Sequence, residues 1–194
     1  MHTKVETKLL PNFKNGFSVK TVGFLVNPIA GMGGMVGLKG TDGRTVLKRA
    51  MILGAKPITP ARAESFLSEL TPVKSSIRLV VGAGRMGEDE ARGFGFTCTV
   101  LGKRKKETTA KDTREIAKKI AARGADLLIF CGGDGTARDI LKAVNINLPV
   151  LGVPTGVKMH SAVFAVDPQA AARIAIEFLW GELPLIETEV MDVD

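Results

Sequence analysis

Five short apolar runs, separated by stretches of helical periodicity, constrain this chain more than any other feature. TVGFLVNP (21–28) is an apolar run stopped by Asn-Pro, and IRLVVG (77–82) is rich in β-branched residues. Phe96, Cys98 and Val100 alternate with Thr97, Thr99 and Leu101, and DLLIF (126–130) and PVLGV (149–153) complete the set. Runs of this length bounded by Gly, Pro or Asn read as strands. Between them, apolar residues recur on single helical faces. These are Val46, Leu47, Ala50 and Met51; Ala63, Phe66, Leu67 and Leu70; Thr113, Ile116, Ala117, Ile120 and Ala121; Ala137, Ile140, Leu141 and Val144; and Ala171, Ile174, Ala175, Phe178 and Leu179. Thr59 is expected at an N-cap with Pro60 at N1, and Asp167-Pro168 is expected to cap the last helix. Gly124 and Gly181 fall at C′ positions. A short helix is expected over 87–92, and 29–43 is glycine-rich and irregular. Strand–helix alternation predicts an α/β fold, a three-layer parallel sheet with helices on both faces.

Ligands of such sheets bind beyond the carboxyl ends of the strands. The chain has 22 glycines in 194 residues, more than the usual ~7%, and they cluster after Val26, Val81, Phe130 and Leu151. Charge is uneven as well. The formal net charge is +7, but residues 182–194 hold five acids and no base. Residues 1–181 therefore carry 27 basic against 15 acidic residues, a formal +12. A basic body suits phosphate-rich partners. With one Trp and no Tyr, stacking platforms for nucleic acid are scarce, and no nucleic acid partner is expected.

No apolar run is long enough to span a bilayer, and the basic body has no amphipathic hydrophobic helix beside it, so no membrane partner is expected. MHTKVETKLLPNFKNG at the start lacks the apolar stretch of a secretory signal. A cytoplasmic protein is expected. Cys98 and Cys131 sit far apart in apolar stretches with no Cys/His cluster, which argues against structural zinc and for two buried thiols.

The densest motif is Gly132-Gly133-Asp134-Gly135-Thr136, between a buried strand and a helix. Glycines let the backbone approach a polyphosphate, and the helix N-terminus favours anions. A carboxylate at Asp134 suits a hydroxyl nucleophile or a metal ion beside those phosphates. Without a ligand, the same residues make a tight turn with an aspartate cap. Asn27-Pro28-Ile29-Ala30-Gly31, running on to Gly33-Gly34, is a second loop of the same kind. Gly152-Val153-Pro154-Thr155-Gly156-Val157-Lys158-Met159-His160-Ser161 is a third. In it Lys158 could neutralise phosphate, Thr155 or Ser161 could donate hydrogen bonds, and a lone His160 is more often structural. Gly82-Ala83-Gly84-Arg85-Met86-Gly87 spells GxGxxG after a strand. The helix after it is cut short by Gly93 and Gly95, and the next strand ends in Lys103-Arg104, which would suit a 2′-phosphate. Lys103–Lys106 is otherwise a charge run of the kind usually found in solvated loops.

Together these segments resemble the NAD kinase/diacylglycerol kinase superfamily. The resemblance rests on the GGDGT block, the upstream Asn-Pro-x-Ala-Gly loop and the downstream Gly-x-Pro-Thr-Gly segment, and spans about residues 21–181. CGGDGTARDI and PVLGVPTGVKMHSAVFA look like its predicted ATP- or polyphosphate-dependent NAD kinase branch, which includes acetoin-catabolism X-type proteins. The resemblance implies a Rossmann/phosphofructokinase-like nucleotide-binding domain. It implies transfer of a terminal phosphoryl group from ATP or polyphosphate to the adenosine ribose 2′-hydroxyl of NAD, with Mg2+ on the donor. Asp134 resembles the catalytic aspartate. Asn27, Gly31, Gly132, Gly133, Gly135, Thr136, Thr155, Gly156 and Lys158 correspond to nucleotide- and phosphate-binding positions. No residue is assigned to a metal, and Asp139 matches an acidic position that lipid-kinase relatives also carry.

Family members continue into a β-rich second domain bearing an Asn-Asp/Glu motif, which is absent here. LPLIETEVMDVD (183–194) begins a new strand-like pattern and stops. The expected division is therefore 1–181 as the kinase domain and 182–194 as the start of a truncated second domain, with self-association possible. Two other readings stand beside the kinase: a non-catalytic nucleotide-binding fragment, and an NADP-dependent oxidoreductase built on Gly82–Gly87.

Overall fold

A computed structural model describes residues 19–38, 44–156 and 159–191. Five parallel strands form its centre: β1 (Lys20–Val26), β2 (Ile77–Gly82), β3 (Cys98–Leu101), β4 (Leu127–Gly132) and β5 (Val150–Pro154). Their order in the sheet is β3-β2-β1-β4-β5. Helices α1 (Met32–Met35), α2 (Arg44–Ile52), α3 (Thr59–Leu70), α4 (Glu88–Gly93), α5 (Ala110–Ala122), α6 (Asp134–Val144) and α7 (Pro168–Leu179) lie between and after them. The five expected strands are all present, and the three-layer α/β architecture is as the alternation predicts.

Side chains alternate across the sheet as the pleat requires. Val22, Phe24 and Val26 of β1, with Leu127, Ile129 and Cys131 of β4, face one layer, where α3, α4 and α7 supply Phe66, Leu70, Ala91 and Ala175. Leu25, Leu128 and Phe130 face the other, against Ile116, Ile120 and Ile140 of α5 and α6. Phe24 stacks on Phe66 with ring centroids 5.8 Å apart. Gly23 has no side chain because Ile120 occupies that space. Strands buried on both faces explain why their sequences read as near-continuous apolar runs.

Several local expectations change. The irregular 29–43 stretch contains the single helical turn α1, which with Ala50 and Ala55 makes a small satellite cluster around Met32. Thr59 is not the N-cap of α3. Ile58 holds that place, and the buried Thr59 hydroxyl donates instead to the Ala30 carbonyl at 3.0 Å. The apolar faces are narrower than their periodicity: Met51, Leu141 and Ile174 are exposed. Asp167 does cap α7, accepting from the Ala170 N–H at 2.6 Å. Of the two thiols, Cys131 is buried but Cys98 only half-buried. No strand forms in 182–191. That segment instead runs back across the molecule, with Val190 packed on the α5–α6 core.

One buried acid stands out in α4. Glu90 is 7% exposed, and its Oε2 has no hydrogen-bond partner among the described residues. Burial pushes its carboxyl up to about 7, against about 4.3 in an unfolded chain. Between those values the folded protein holds a proton that the unfolded chain has released, so stability falls as pH rises through that window. Urea unfolding midpoints should therefore drop from pH 5 to pH 8, and Glu90→Gln should flatten the decline.

Candidate functional site

The site begins where the strand order turns back on itself. From β1 the chain adds β2 and β3 on one side, then crosses to place β4 and β5 on the other. The loops after β1 and β4 therefore leave adjacent strand ends where the order reverses, the usual ligand position in an open parallel sheet.

Asn27 sits at this switch point. Its backbone N–H continues the β1–β4 ladder to the Cys131 carbonyl at 3.0 Å. Its side-chain Nδ2 donates to Thr136 Oγ1 at 2.9 Å, and its Oδ1 accepts from the Ile29 N–H at 3.3 Å. One side chain thus ties the β1 loop to the first turn of α6. Thr136 is buried beneath Gly132, where an added Cβ would lie 2.5 Å from its side chain. The Thr155 N–H donates to the Gly132 carbonyl at 3.2 Å, which joins the β5 loop to the β4 loop. Gly31 has a φ of 78° and abuts the Thr155 carbonyl, so any side chain there would be both strained and blocked. Thr155 is buried with no partner for its hydroxyl among the described residues.

Asp134 is the first residue of α6. Its Oδ1 accepts from the Ser161 N–H at 2.9 Å, the Ser161 hydroxyl at 2.5 Å and the His160 N–H at 3.3 Å. Among the described residues its Oδ2 accepts only from the His160 N–H, at 3.1 Å. Burial alone would raise this carboxyl. The Ser161 and His160 donors outweigh that and hold it below the ordinary carboxylate range. Ser161 Oγ in turn accepts from the Met191 N–H at 3.0 Å, so the segment after α7 reaches back to the site.

The glycines of the block have different reasons to be glycine. Gly132 is required by Thr136. Gly133 and Gly135 are not: an added Cβ would meet only the end of Met159 at 3.7 Å and of Arg138 at 3.8 Å, and neither has a positive φ. Packing and backbone conformation leave both unexplained, and both sit at the N-terminus of α6, where N–H groups face outward.

A family model for the ATP-NAD kinase N-terminal domain matches residues 22–183. The chain belongs to the NAD kinase family. No curated protein matches it.

Of the ten residues expected in this NAD kinase domain's site, nine are brought to one edge of the sheet: Asn27, Gly31, Gly132, Gly133, Asp134, Gly135, Thr136, Thr155 and Gly156. Lys158 lies outside the described residues. His160 contributes through its backbone N–H. Asp139 turns away and pairs with Arg114 at 2.5 Å, binding α6 to α5. Sequence reasoning placed Ser161 only as a generic donor and missed Met191. No local signal marks a bond that depends on where a later segment returns.

The Gly82–Gly87 loop does not form a pyrophosphate cradle. The Gly84 N–H donates to Glu88 at 2.7 Å, so the protein's own carboxylate takes the donor a phosphate would need. The following helix, α4, has six residues. Arg104, the candidate for a 2′-phosphate, is paired with Asp89 at 2.5 and 2.9 Å.

Alanine substitutions should separate the two kinds of glycine. Gly132→Ala should lower unfolding stability by about 1–3 kcal/mol through overpacking against Thr136. Gly135→Ala should leave it within about 0.5 kcal/mol or raise it, and Gly133→Ala, at the N-cap, should cost no more than about 1 kcal/mol. Chemical denaturation of the three variants checks this.

Proposed function

We propose that this chain provides the nucleotide-binding half of an NAD kinase-type phosphotransferase. In this reading a terminal phosphoryl group passes from ATP or polyphosphate to the adenosine ribose 2′-hydroxyl of NAD, in the manner of the ATP- or polyphosphate-dependent branch. The observation that carries the reading is the pairing of the half-satisfied Asp134 carboxylate with the open glycine backbone at the start of α6.

The division of labour follows from the hydrogen bonds. Oδ1 of Asp134 is filled by three donors, and this fixes the carboxylate plane. Among the described residues Oδ2 has a single bond, the His160 N–H that it shares with Oδ1, and lone-pair capacity left, so it is the atom offered to the substrate hydroxyl. The N–H groups beside Gly133 and Gly135 face the transferring phosphoryl oxygens. Thr155 Oγ1, buried and without a partner among the described residues, is a further donor to a phosphate or ribose oxygen. Asn27 holds the β1 and β4 loops at a fixed separation.

Among the described residues no three acidic, His or Cys side chains gather as a metal cage. A single carboxylate at the loop would suit Mg2+ carried in on donor phosphates, with Asp134 as the residue available to help hold it. When bound, that ion supplies neutralisation of the donor's charge.

Asp134 must be ionised to accept a proton. Its lowered pKa places the acid limb of activity below the ordinary carboxylate value of about 3.9. Activity governed by this group should therefore not fall between pH 8 and pH 5. Ser161→Ala removes a donor to the charged form, so the acid limb should move up in pH. Asp134→Asn should reduce NAD phosphorylation by about 10²-fold or more. Rates measured with NAD and either donor across pH check all three statements, and equal rates for wild type and Asp134→Asn would remove Asp134 from the role.

A further inference from the structure

A second cationic feature lies on the same edge of the sheet. Arg85, in the turn after β2, faces Arg104, Lys105 and Lys106, in the loop after β3, across an open cavity of about 480 Å3. The charge run thus does more than fill a solvated loop, because a cation 19 residues upstream completes the ring. Two members are already engaged. Arg104 binds Asp89 and lies 3.8 Å from Glu88, and its stem crosses Gly84. Lys105 binds Asp112, which also accepts from Thr109. These pairs brace the loop. Arg85 and Lys106 have no carboxylate within ion-pairing distance among the described residues, and both are exposed. The bracing pairs thereby leave Arg85 and Lys106 facing one cavity without a salt-bridge contact among the described residues, Arg85 acting on the buried Glu90 carboxyl only through space.

The cavity's position limits its ligand. β2 and β3 lie two and three strand spacings from β4, about 10 and 14 Å along the edge. A single phosphate seated here would be remote from Asp134. A chain of linked phosphates would not be, because it can run along the edge from one loop to the other. We propose that the Arg85–Lys106 cavity binds the non-reacting phosphates of a multi-phosphate ligand whose terminal phosphoryl group lies at the Gly132–Thr136 loop. Only the identity of the reacting end rests on the kinase reading; binding at the cavity does not.

The test is binding without turnover. Calorimetry would compare long-chain inorganic polyphosphate, tripolyphosphate and ATP on the wild type, on Arg85→Ala/Lys106→Ala, and on Lys118→Ala/Lys119→Ala. The last removes the same charge from an exposed face of α5. The expected result is a loss of about tenfold or more in long-chain affinity for the first double variant only. The loss should be greater than for tripolyphosphate if inorganic polyphosphate is the source, and equal for ATP if the nucleotide is. A smaller loss overturns the proposal. So does an equal loss in the α5 control, or displacement by a single-stranded oligonucleotide as effective as by polyphosphate, since either would mark general electrostatics. If the wild type binds polyphosphate with this dependence on Arg85 and Lys106 but fails to phosphorylate NAD, the kinase reading fails and the cavity stands. If the first double variant binds normally, the cavity fails alone.

Discussion

Strand β1 is hydrogen-bonded to β2 on one side and β4 on the other, and the candidate site exists because of that double pairing. In a parallel sheet every connection must return to the starting edge, so consecutive loops emerge at the same end. Where the order reverses, two of those loops part from adjacent strand ends, and Asn27 ties them at a fixed separation. Asn27 and Thr136 are brought together although they lie 109 residues apart in sequence. The register that aligns Val26 with Cys131 sets their separation. The β5 pairing then adds the third loop, through Thr155 on Gly132.

Within that frame, small residues have two separate jobs. Gly23, Gly31 and Gly132 are structural, because Ile120, the Thr155 carbonyl and Thr136 fill the space a side chain would need. Gly133 and Gly135 have no such neighbours. A side chain there clashes with nothing that the structure can identify. Their place at the mouth of a helix N-terminus gives them a reason only when something else occupies the space. A motif recognised as a unit is therefore two motifs: one that builds the turn and one that leaves room.

The sheet and both helical layers were legible because their signals are local and repetitive: two-residue alternation in strands and single apolar faces on helices. The glycine loops were legible because they interrupt those patterns at strand ends. The errors arise where a distant partner overrides a local preference. Thr59 has the chemistry of an N-cap, but the Ala30 carbonyl claims its hydroxyl, and the cap passes to Ile58. Residues 183–191 have a strand-like pattern, but a strand also needs an edge to pair with, and among the described residues this segment pairs with none. Arg85 and Lys106 could not be joined from sequence, since they meet only through the register of β2 on β3.

The depressed proton affinity of Asp134 is consistent with the chemistry rather than opposed to it. A strong base would be needed if the hydroxyl had to be ionised before attack. Phosphoryl transfer through a loose transition state makes little demand of that kind, because bonding to the nucleophile is weak until late. What it requires is a fixed line of approach and a carboxylate that is always charged and never diverted by protonation. Three donors on Oδ1 meet both requirements: they lock the plane of the group and keep it ionised, while leaving Oδ2 to direct the hydroxyl. The cost is a weaker driving force for proton transfer. Strong positioning is the larger effect, since fixing two reacting groups in line removes several kcal/mol of barrier, whereas a pKa shift of one unit is about 1.4 kcal/mol. The Met191 N–H on Ser161 belongs to the same argument. A segment from the far end of the described chain holds the serine that holds the aspartate, so the precision of the site depends on how that segment is docked.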